Sequence, residues 1–376
     1  MSGTLLICDE AAPQPSRDTA SLRMWRLLLI ARSEGWDIVF QPRLETTPGS
    51  GADRLRGEGV EVLGPDLDAL ASYLDTSPAP DVALVSRPQV AERVMPMLLE
   101  RAPEAALIYD TLDLAHLRAF RQAKATRNGS VMREAIRLKG LELELTRAAD
   151  VTLVVSEVER AVLSEAVPEA ELVVVPSIHV GSDRPPLPRD QRRADVVLAA
   201  YWPQPANPPA ARVLLDDVWP VLTERDSDLR LVLIGTNPPD WMSEAALASD
   251  GRVVVTGHVP DIAPFLDSAW CSVVPQSFGS GVKGKVLSPL AHGLPTVATS
   301  VAWEGIPIVD GVHGLVADDP EAMIDAVLRL RTDAELWNRL HGEGPRLIES
   351  HFSFAAARTA IRDALARART RATARA

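Results

Sequence analysis

Short aliphatic and β-branched runs alternate with longer amphipathic segments along almost the whole chain. This alternation constrains the fold more than any other feature. Leu5–Cys8 reads as a buried first strand. Ser21–Ser33 follows with Leu22, Trp25, Leu28 and Leu29 at helical spacing, and Gly35 stands where such a helix would end. Asp37–Gln41, Val82–Ser86, Ala106–Tyr109 and Val151–Val155 repeat the strand pattern, each between helix-like segments. Strands separated by helices predict parallel pairing through right-handed crossovers.

The alternation comes in two series. Ser182–Arg193 holds Pro185, Pro186 and Pro188 among charged residues and reads as a linker. Behind it, strands are expected at Val196–Ala199, Arg230–Ile234, Arg252–Thr256, Cys271–Val274 and Thr296–Ala298. The expected architecture is α/β, with two facing Rossmann-like domains over residues 1–185 and 186–350. In the remaining segment, 351–376, Phe354–Arg375 reads as an arginine-bearing helix packing back towards the first domain. A chain of 376 residues is long enough for two cores. Ligands of open parallel sheets collect outside the carboxyl ends of the strands, so the cleft between the domains is the expected site.

Composition removes several function classes. Lys and Arg total 39 against 51 Asp and Glu, a net charge of −12, which argues against a nucleic-acid partner. Cys8 and Cys271 cannot form a disulfide framework or a cysteine-rich zinc site. The N-terminus lacks a basic region and a long apolar stretch, so no signal peptide is expected. No run approaches the ~20 apolar residues of a membrane helix. These features lead to the expectation of a soluble, cytoplasmic protein. No His-Glu-x-x-His and no cysteine cluster occur; Asp66-Leu67-Asp68 reads as a helix start and Asp226-Ser227-Asp228 as a turn. Neither a metal nor a cofactor is expected. Gly279-Ser280-Gly281 falls short of the five-residue nucleophile elbow of hydrolases.

The most informative stretch is Ser277-Phe278-Gly279-Ser280-Gly281-Val282-Lys283-Gly284-Lys285, directly after the predicted strand Cys271–Val274. Its glycines permit close backbone approach. A helix is expected to begin near Lys283–Lys285 and end at Gly293. Free N–H groups at that helix start, together with two lysines, suit a diphosphate. Taken alone, the glycines and lysines are equally compatible with a solvated flexible loop. The continuation Gly293-Leu294-Pro295-Thr296-Val297-Ala298-Thr299 separates the two readings.

The whole stretch resembles the nucleotide-sugar loop of retaining glycosyltransferases of the GT-B fold, the glycosyltransferase family 4 type (glycosyl transferases group 1). Weaker matches fall in the same order along nearly the full chain. They include Arg17-Asp18, Ser21-Leu22-Arg23, Ser86-Arg87-Pro88, Tyr109–Leu114, Val155-Ser156-Glu157, Asn207-Pro208, Ile234-Gly235, Gly257–Asp261 and Glu304-Gly305. The resemblance implies that the second domain binds a nucleoside-diphosphate sugar and the first an acceptor. Gly279 and Gly281 would let the loop approach the donor. Lys283 and Lys285 would offset the diphosphate charge as it grows in the transition state. The turn carrying Gly257, His258 and Val259 would contact the nucleobase, and Asn207 joins the donor side.

Four departures stand out on that side. The family commonly has glutamates where this chain has Ser288 and Ser280, the first holding the ribose. Ala200-Tyr201 replaces a glycine pair, and Gln204-Pro205 a histidine-proline pair. A serine offers one neutral hydrogen bond where a carboxylate makes a charge-assisted pair. Tyr201 or Trp202 leaning into the space is an alternative reason for a small residue at 288.

On the acceptor side, Asp110, Asp113 and His116 are candidate catalytic residues that would position or deprotonate a hydroxyl. The bland alternatives are helix N-caps for the two aspartates and a helix surface for His116. His179 and His258 read as loop residues. Arg17, Asp18 and Arg23 are candidate acceptor-binding residues. The two arginines suit an anionic acceptor, or are solvated loop and helix-surface residues. Seven basic side chains from Arg118 to Lys139 form either a solvated helical face or a peripheral contact for phosphate-bearing lipid, acidic glycan or a membrane surface. The expected partners are a nucleotide-sugar donor and a glycan, lipid-linked or small-molecule acceptor. The expected function is transfer of a sugar to an acceptor hydroxyl with retention. Non-catalytic binding or activation, and nucleotide-sugar epimerisation, are the alternatives.

Overall fold

The computed structural model describes residues 3–15, 18–44, 51–179 and 185–375. The chain divides into two compact units, residues 1–178 with 354–376, and residues 179–353. The predicted linker lies partly outside the described residues.

In the first unit, seven strands form one parallel sheet: β1 Gly3–Asp9, β2 Trp36–Pro42, β3 Glu61–Val62, β4 Val82–Ser86, β5 Ala106–Asp110, β6 Val151–Val154 and β7 Leu172–Val174. Their spatial order is β3-β2-β1-β4-β5-β6-β7. Strand periodicity decides which residue faces which layer. Leu5 and Ile7 of β1 pack in one core with Met24, Leu27 and Leu28 of the helix Thr19–Ser33. Leu6 and Cys8 enter the opposite core with Val90, Val94 and Leu98 of the helix Pro88–Arg101. Asp18 caps the helix Thr19–Ser33 by accepting from the Ser21 N–H at 2.7 Å.

The last helix, Phe354–Arg375, belongs to this first unit. Ala357, Ile361, Ala364, Leu365 and Ala368 bury one side of it against the β1 face of the sheet. Its outer side is held by Arg358 and Arg362 on Glu34, and by Arg367 and Arg371 on Glu171. Exposed pairs of this kind contribute little. Burial of Ile361 and Leu365 stabilises the helix more, at about 1.5–3 kcal/mol for each side chain.

The second unit has a six-stranded parallel sheet: β8 Asp195–Ala199, β9 Arg230–Ile234, β10 Val253–Val255, β11 Cys271–Val274, β12 Thr296–Ala298 and β13 Leu315–Val316. Its order is β10-β9-β8-β11-β12-β13. Val196 and Leu198 face a large core containing Trp202, Trp219, Trp303 and Trp337; Val197, Val232 and Ile234 face a smaller one. Among the described residues, no helix is long and apolar enough to cross a membrane.

Candidate functional site

The strand order of the second unit reverses between β8 and β11. Ligands of doubly wound sheets bind at such a reversal, outside the carboxyl ends of the strands. The glycine-lysine loop leaves β11 at this point and leads into the helix Gly284–Ala291.

Side-chain crowding dictates the loop's glycines. Gly279 has φ +150°, and a Cβ there would stand 2.4 Å from Gln276 Nε2. That nitrogen is fixed by donating to the Phe278 carbonyl at 2.7 Å. Gly281 is left-handed at φ +67°. Lys283 precedes the helix at its N-cap position and is buried, with Nζ 3.4 Å from Glu304 Oε2. Lys285, one helical residue on, donates to Asn207 Oδ1. Asn207 is oriented for this by its own amide nitrogen, which donates to the Tyr201 carbonyl at 2.6 Å and so turns Oδ1 towards the lysine. Burial, and Lys283 beside it, push the Lys285 ammonium down to about 7. Lys285 therefore has an amide oxygen where an ammonium in a partly buried place would normally have a carboxylate.

Ser288 is half-buried on the same helix, and its Oγ lies 3.5 Å from His179 Nδ1. His179 lies in a loop, is buried, and its backbone N–H donates to the Phe352 carbonyl. Trp202 is buried in the core, and Tyr201 is exposed. Gly257, left-handed at φ +67°, follows β10 and accepts from the Gly235 N–H at 3.2 Å. His258 is exposed, with Nδ1 3.3 Å from Thr236 Oγ1, while Val259 packs on the smaller core. These three share the carboxyl-end edge of the sheet with the lysine loop but make no hydrogen bond to it among the described residues.

The acceptor-side candidates come out differently. Asp110 is neither an N-cap nor a free base. It ends β5, is fully buried, and its Oδ2 accepts from Arg23 Nη1 at 2.7 Å and Ser86 Oγ at 2.6 Å. Arg23 is correspondingly 2% exposed, which corrects its reading as a helix-surface residue. Asp18 serves as a helix cap. Arg17 lies outside the described residues. Asp113 is not an N-cap either: Arg118 donates to both of its oxygens, at 2.8 and 3.3 Å.

His116 is buried rather than on a helix surface, and its Nδ1 donates to Glu142 Oε2 at 2.6 Å. Glu142 also accepts the backbone N–H groups of Ala115 and His116, and Glu159 accepts that of Leu114 at 3.1 Å. The helix Ala115–Thr126 is thus capped by two carboxylates from distant helices, because Leu114 at the N-cap position cannot do it. Burial, then the Asp113 and Glu142 charges, raise Glu159 to about 7. Local sequence carried no signal for Glu142 or Glu159. Within the basic segment, Arg118 and Arg137 are ion-paired, while Lys124, Arg127, Arg133 and Lys139 are exposed. Among the described residues, no group of three or more His, Cys, Asp or Glu side chains is placed to hold a metal ion.

The two sheets and their site define the GT-B fold. Residues 196–333 match the family model described as glycosyl transferases group 1. No curated protein matches the chain. Solved structures do. HepE of Anabaena, in complex with UDP and glucose, superposes with a TM-score of 0.72 at 14% identity, covering 97% of this chain and 99% of that one. Sucrose-phosphate synthase of Thermosynechococcus elongatus gives 0.69 at 15% identity, with 96% and 97% covered. TarM gives 0.62 at 13% identity over 79% of this chain and 58% of that one.

Proposed function

We propose that the chain transfers a sugar from a nucleoside-diphosphate sugar to an acceptor hydroxyl with retention of anomeric configuration, in glycan, polysaccharide or glycoconjugate synthesis. The observation that carries this reading is the lysine pair. Lys283 and Lys285 stand side by side at a helix start, and the hydrogen bond of Lys285 goes to the neutral Asn207 amide. A diphosphate at the start of the helix Gly284–Ala291 supplies the anion that Asn207 does not. The glycines at 279 and 281 keep Cβ atoms out of its way. As the bond between the sugar and the diphosphate breaks, the growing charge on the leaving oxygens strengthens the contact with both ammonium groups, which lowers the barrier.

The donor is held without a metal or cofactor in this proposal. The first unit takes the acceptor, and His116, oriented by Glu142, is the candidate for contacting its hydroxyl. We assign the reaction to the cytoplasm, with the exposed basic side chains at 124, 127, 133 and 139 as a contact for an anionic lipid or glycan. A non-catalytic binding role is favoured by one observation, Ser288 in place of a ribose-binding carboxylate. Incubation with a panel of nucleotide sugars and candidate acceptors separates the readings. Free nucleotide with a retained-configuration product supports transfer, binding without turnover supports the non-catalytic role, and an altered donor sugar supports epimerisation.

A further inference from the structure

The proline-rich segment read as a linker carries, near its end, an arginine that is not solvated. Arg192 is 8% exposed. Every hydrogen bond of its guanidinium among the described residues goes to a backbone carbonyl. Nε donates to Leu187 at 2.8 Å. Nη1 donates to Leu266 and Ala269, at 3.1 and 3.0 Å. Nη2 donates to His292 and Gly293, at 3.3 and 3.5 Å. A guanidinium has five N–H groups, and five carbonyls surround this one. Its face lies over the Trp337 ring, 5.4 Å from the centroid. Burial pushes Arg192 down to about 10, with the Asp267 charge opposing, so it is a cation at neutral pH.

Four of those carbonyls belong to the ends of two helices. Leu266 and Ala269 close the helix Ala263–Ser268, and His292 and Gly293 close the helix Gly284–Ala291. Carbonyls at a helix C-terminus lack partners within the helix, and the helix dipole favours a cation beside them. The next residue adds to the first set, since the Arg193 N–H donates to the Ser268 carbonyl at 2.7 Å. A second tie joins the same two helices: His292 Nδ1 lies 2.7 Å from Asp267 Oδ1. His341 Nδ1 also donates to the Gly293 carbonyl, at 2.6 Å, while its ring stacks on Trp337.

The opposite ends of these helices face the candidate site. The helix Ala263–Ser268 begins shortly after the turn at 257–259, and the helix Gly284–Ala291 begins at the lysine loop. In the sheet, β9 and β8 stand between β10, which leads to the turn, and β11, which leads to the loop. The helices that follow turn and loop are tied to each other at their far ends, where one guanidinium holds both. Helices of about 9 and 12 Å are carried as rigid units, so a shift at one end reaches the other. Lysine has three N–H groups on a single nitrogen and cannot serve five carbonyls in two directions, which is why the position calls for arginine.

We infer that Arg192 is a positioning residue for the donor: it fixes the distance between the turn at 257–259 and the lysine loop, and so lets one nucleoside diphosphate engage both at once. This rests on the function proposed above, with the diphosphate at the lysine loop and the nucleobase at the turn. It adds a residue that touches neither half of the ligand and acts through the two helices.

Titration of the full chain with a nucleotide and with its two halves tests this. Calorimetry first finds which of UDP and GDP the wild type binds more tightly. That nucleotide, its nucleoside and inorganic pyrophosphate are then compared on wild type and Arg192→Lys, the halves by ligand-observed NMR. Joining two halves gains affinity only where both contacts form together. Arg192→Lys should therefore weaken the nucleotide roughly ten- to a hundredfold and change each half by less than about twofold. An arginine that only stabilises the fold gives another pattern, equal losses for all three ligands or no loss in the folded protein. Either result overturns the inference and leaves the donor assignment standing. A wild type that binds neither nucleotide overturns both. If Arg192→Lys fails to fold, Asp267→Ala decides, because it cuts the tie to His292 at a half-buried position. Selective loss of the nucleotide then supports the inference, and unchanged or uniformly weakened binding overturns it.

Discussion

Nucleotide binding should lose affinity as pH rises above 7, and Lys285 is the reason. Burial and the neighbouring Lys283 hold its free-state value at about 7. A bound diphosphate is fully ionised in this range and favours the ammonium form. Binding above pH 7 must therefore take up a proton. If the bound-state value returns to its ordinary range, affinity for UDP falls by about sixteenfold between pH 7.0 and 8.5, approaching tenfold per pH unit at the upper end. The sign for stability is opposite. A lysine whose folded value is depressed penalises the unliganded protein at low pH, so the second unit gains stability as pH rises from 7 towards 10.5. Calorimetry of UDP binding in two buffers of different ionisation enthalpy reads the proton directly, with close to one taken up at pH 8.5 and about half of one at pH 7. Lys283→Met should move the break to higher pH by removing the like charge. A pH-independent affinity with no proton uptake would refute the reasoning, because Lys285 would then not face the diphosphate.

Three further outcomes follow from the same geometry. Lys283→Ala removes a charge-assisted contact of about 1.5–3 kcal/mol, so UDP should bind roughly ten- to a hundredfold more weakly by calorimetry, beyond any exposed-lysine control. Ser288→Glu places a carboxylate near His179 and, if the ribose lies beside residue 288, should tighten UDP binding. Weaker binding would mean that another group fills that space. Glu159, raised to about 7, gives a folded state that holds its proton more tightly than the unfolded chain. Stability should accordingly fall as pH rises from about 4.5 to 7, by roughly 3 kcal/mol for this group, and urea melts of Glu159→Gln against wild type should differ by that pH-dependent increment.

Sequence patterning located the elements whose apolar runs were long enough to register. β9, β11 and β12 match their predicted bounds, and the helix Phe354–Arg375 does likewise. The edge strands β3, β7 and β13 hold only two or three residues and leave no periodicity to read. In the second unit the lysine loop was legible because its glycines, lysines and following helix are contiguous in sequence. The link from Lys285 to Asn207 was not, since those residues stand 78 positions apart. The first unit hid more. Asp110, Asp113 and His116 read as one run in sequence; in the fold Asp110 pairs with Arg23, 87 residues away, and His116 is oriented by Glu142, 26 residues away. A carboxylate's role depends on which charge the fold brings to it, and local spacing does not contain that information.

The central claim is that a nucleoside diphosphate rests on the loop between β11 and the helix Gly284–Ala291. Amide hydrogen exchange with and without UDP tests this most directly. Slowed exchange should centre on residues near 276–288, with smaller effects near the nucleobase turn at 257–259 and near 201–207, where Tyr201 and Asn207 hold Lys285. Unchanged exchange in the loop at saturating UDP, or protection confined to the first unit, would contradict the account.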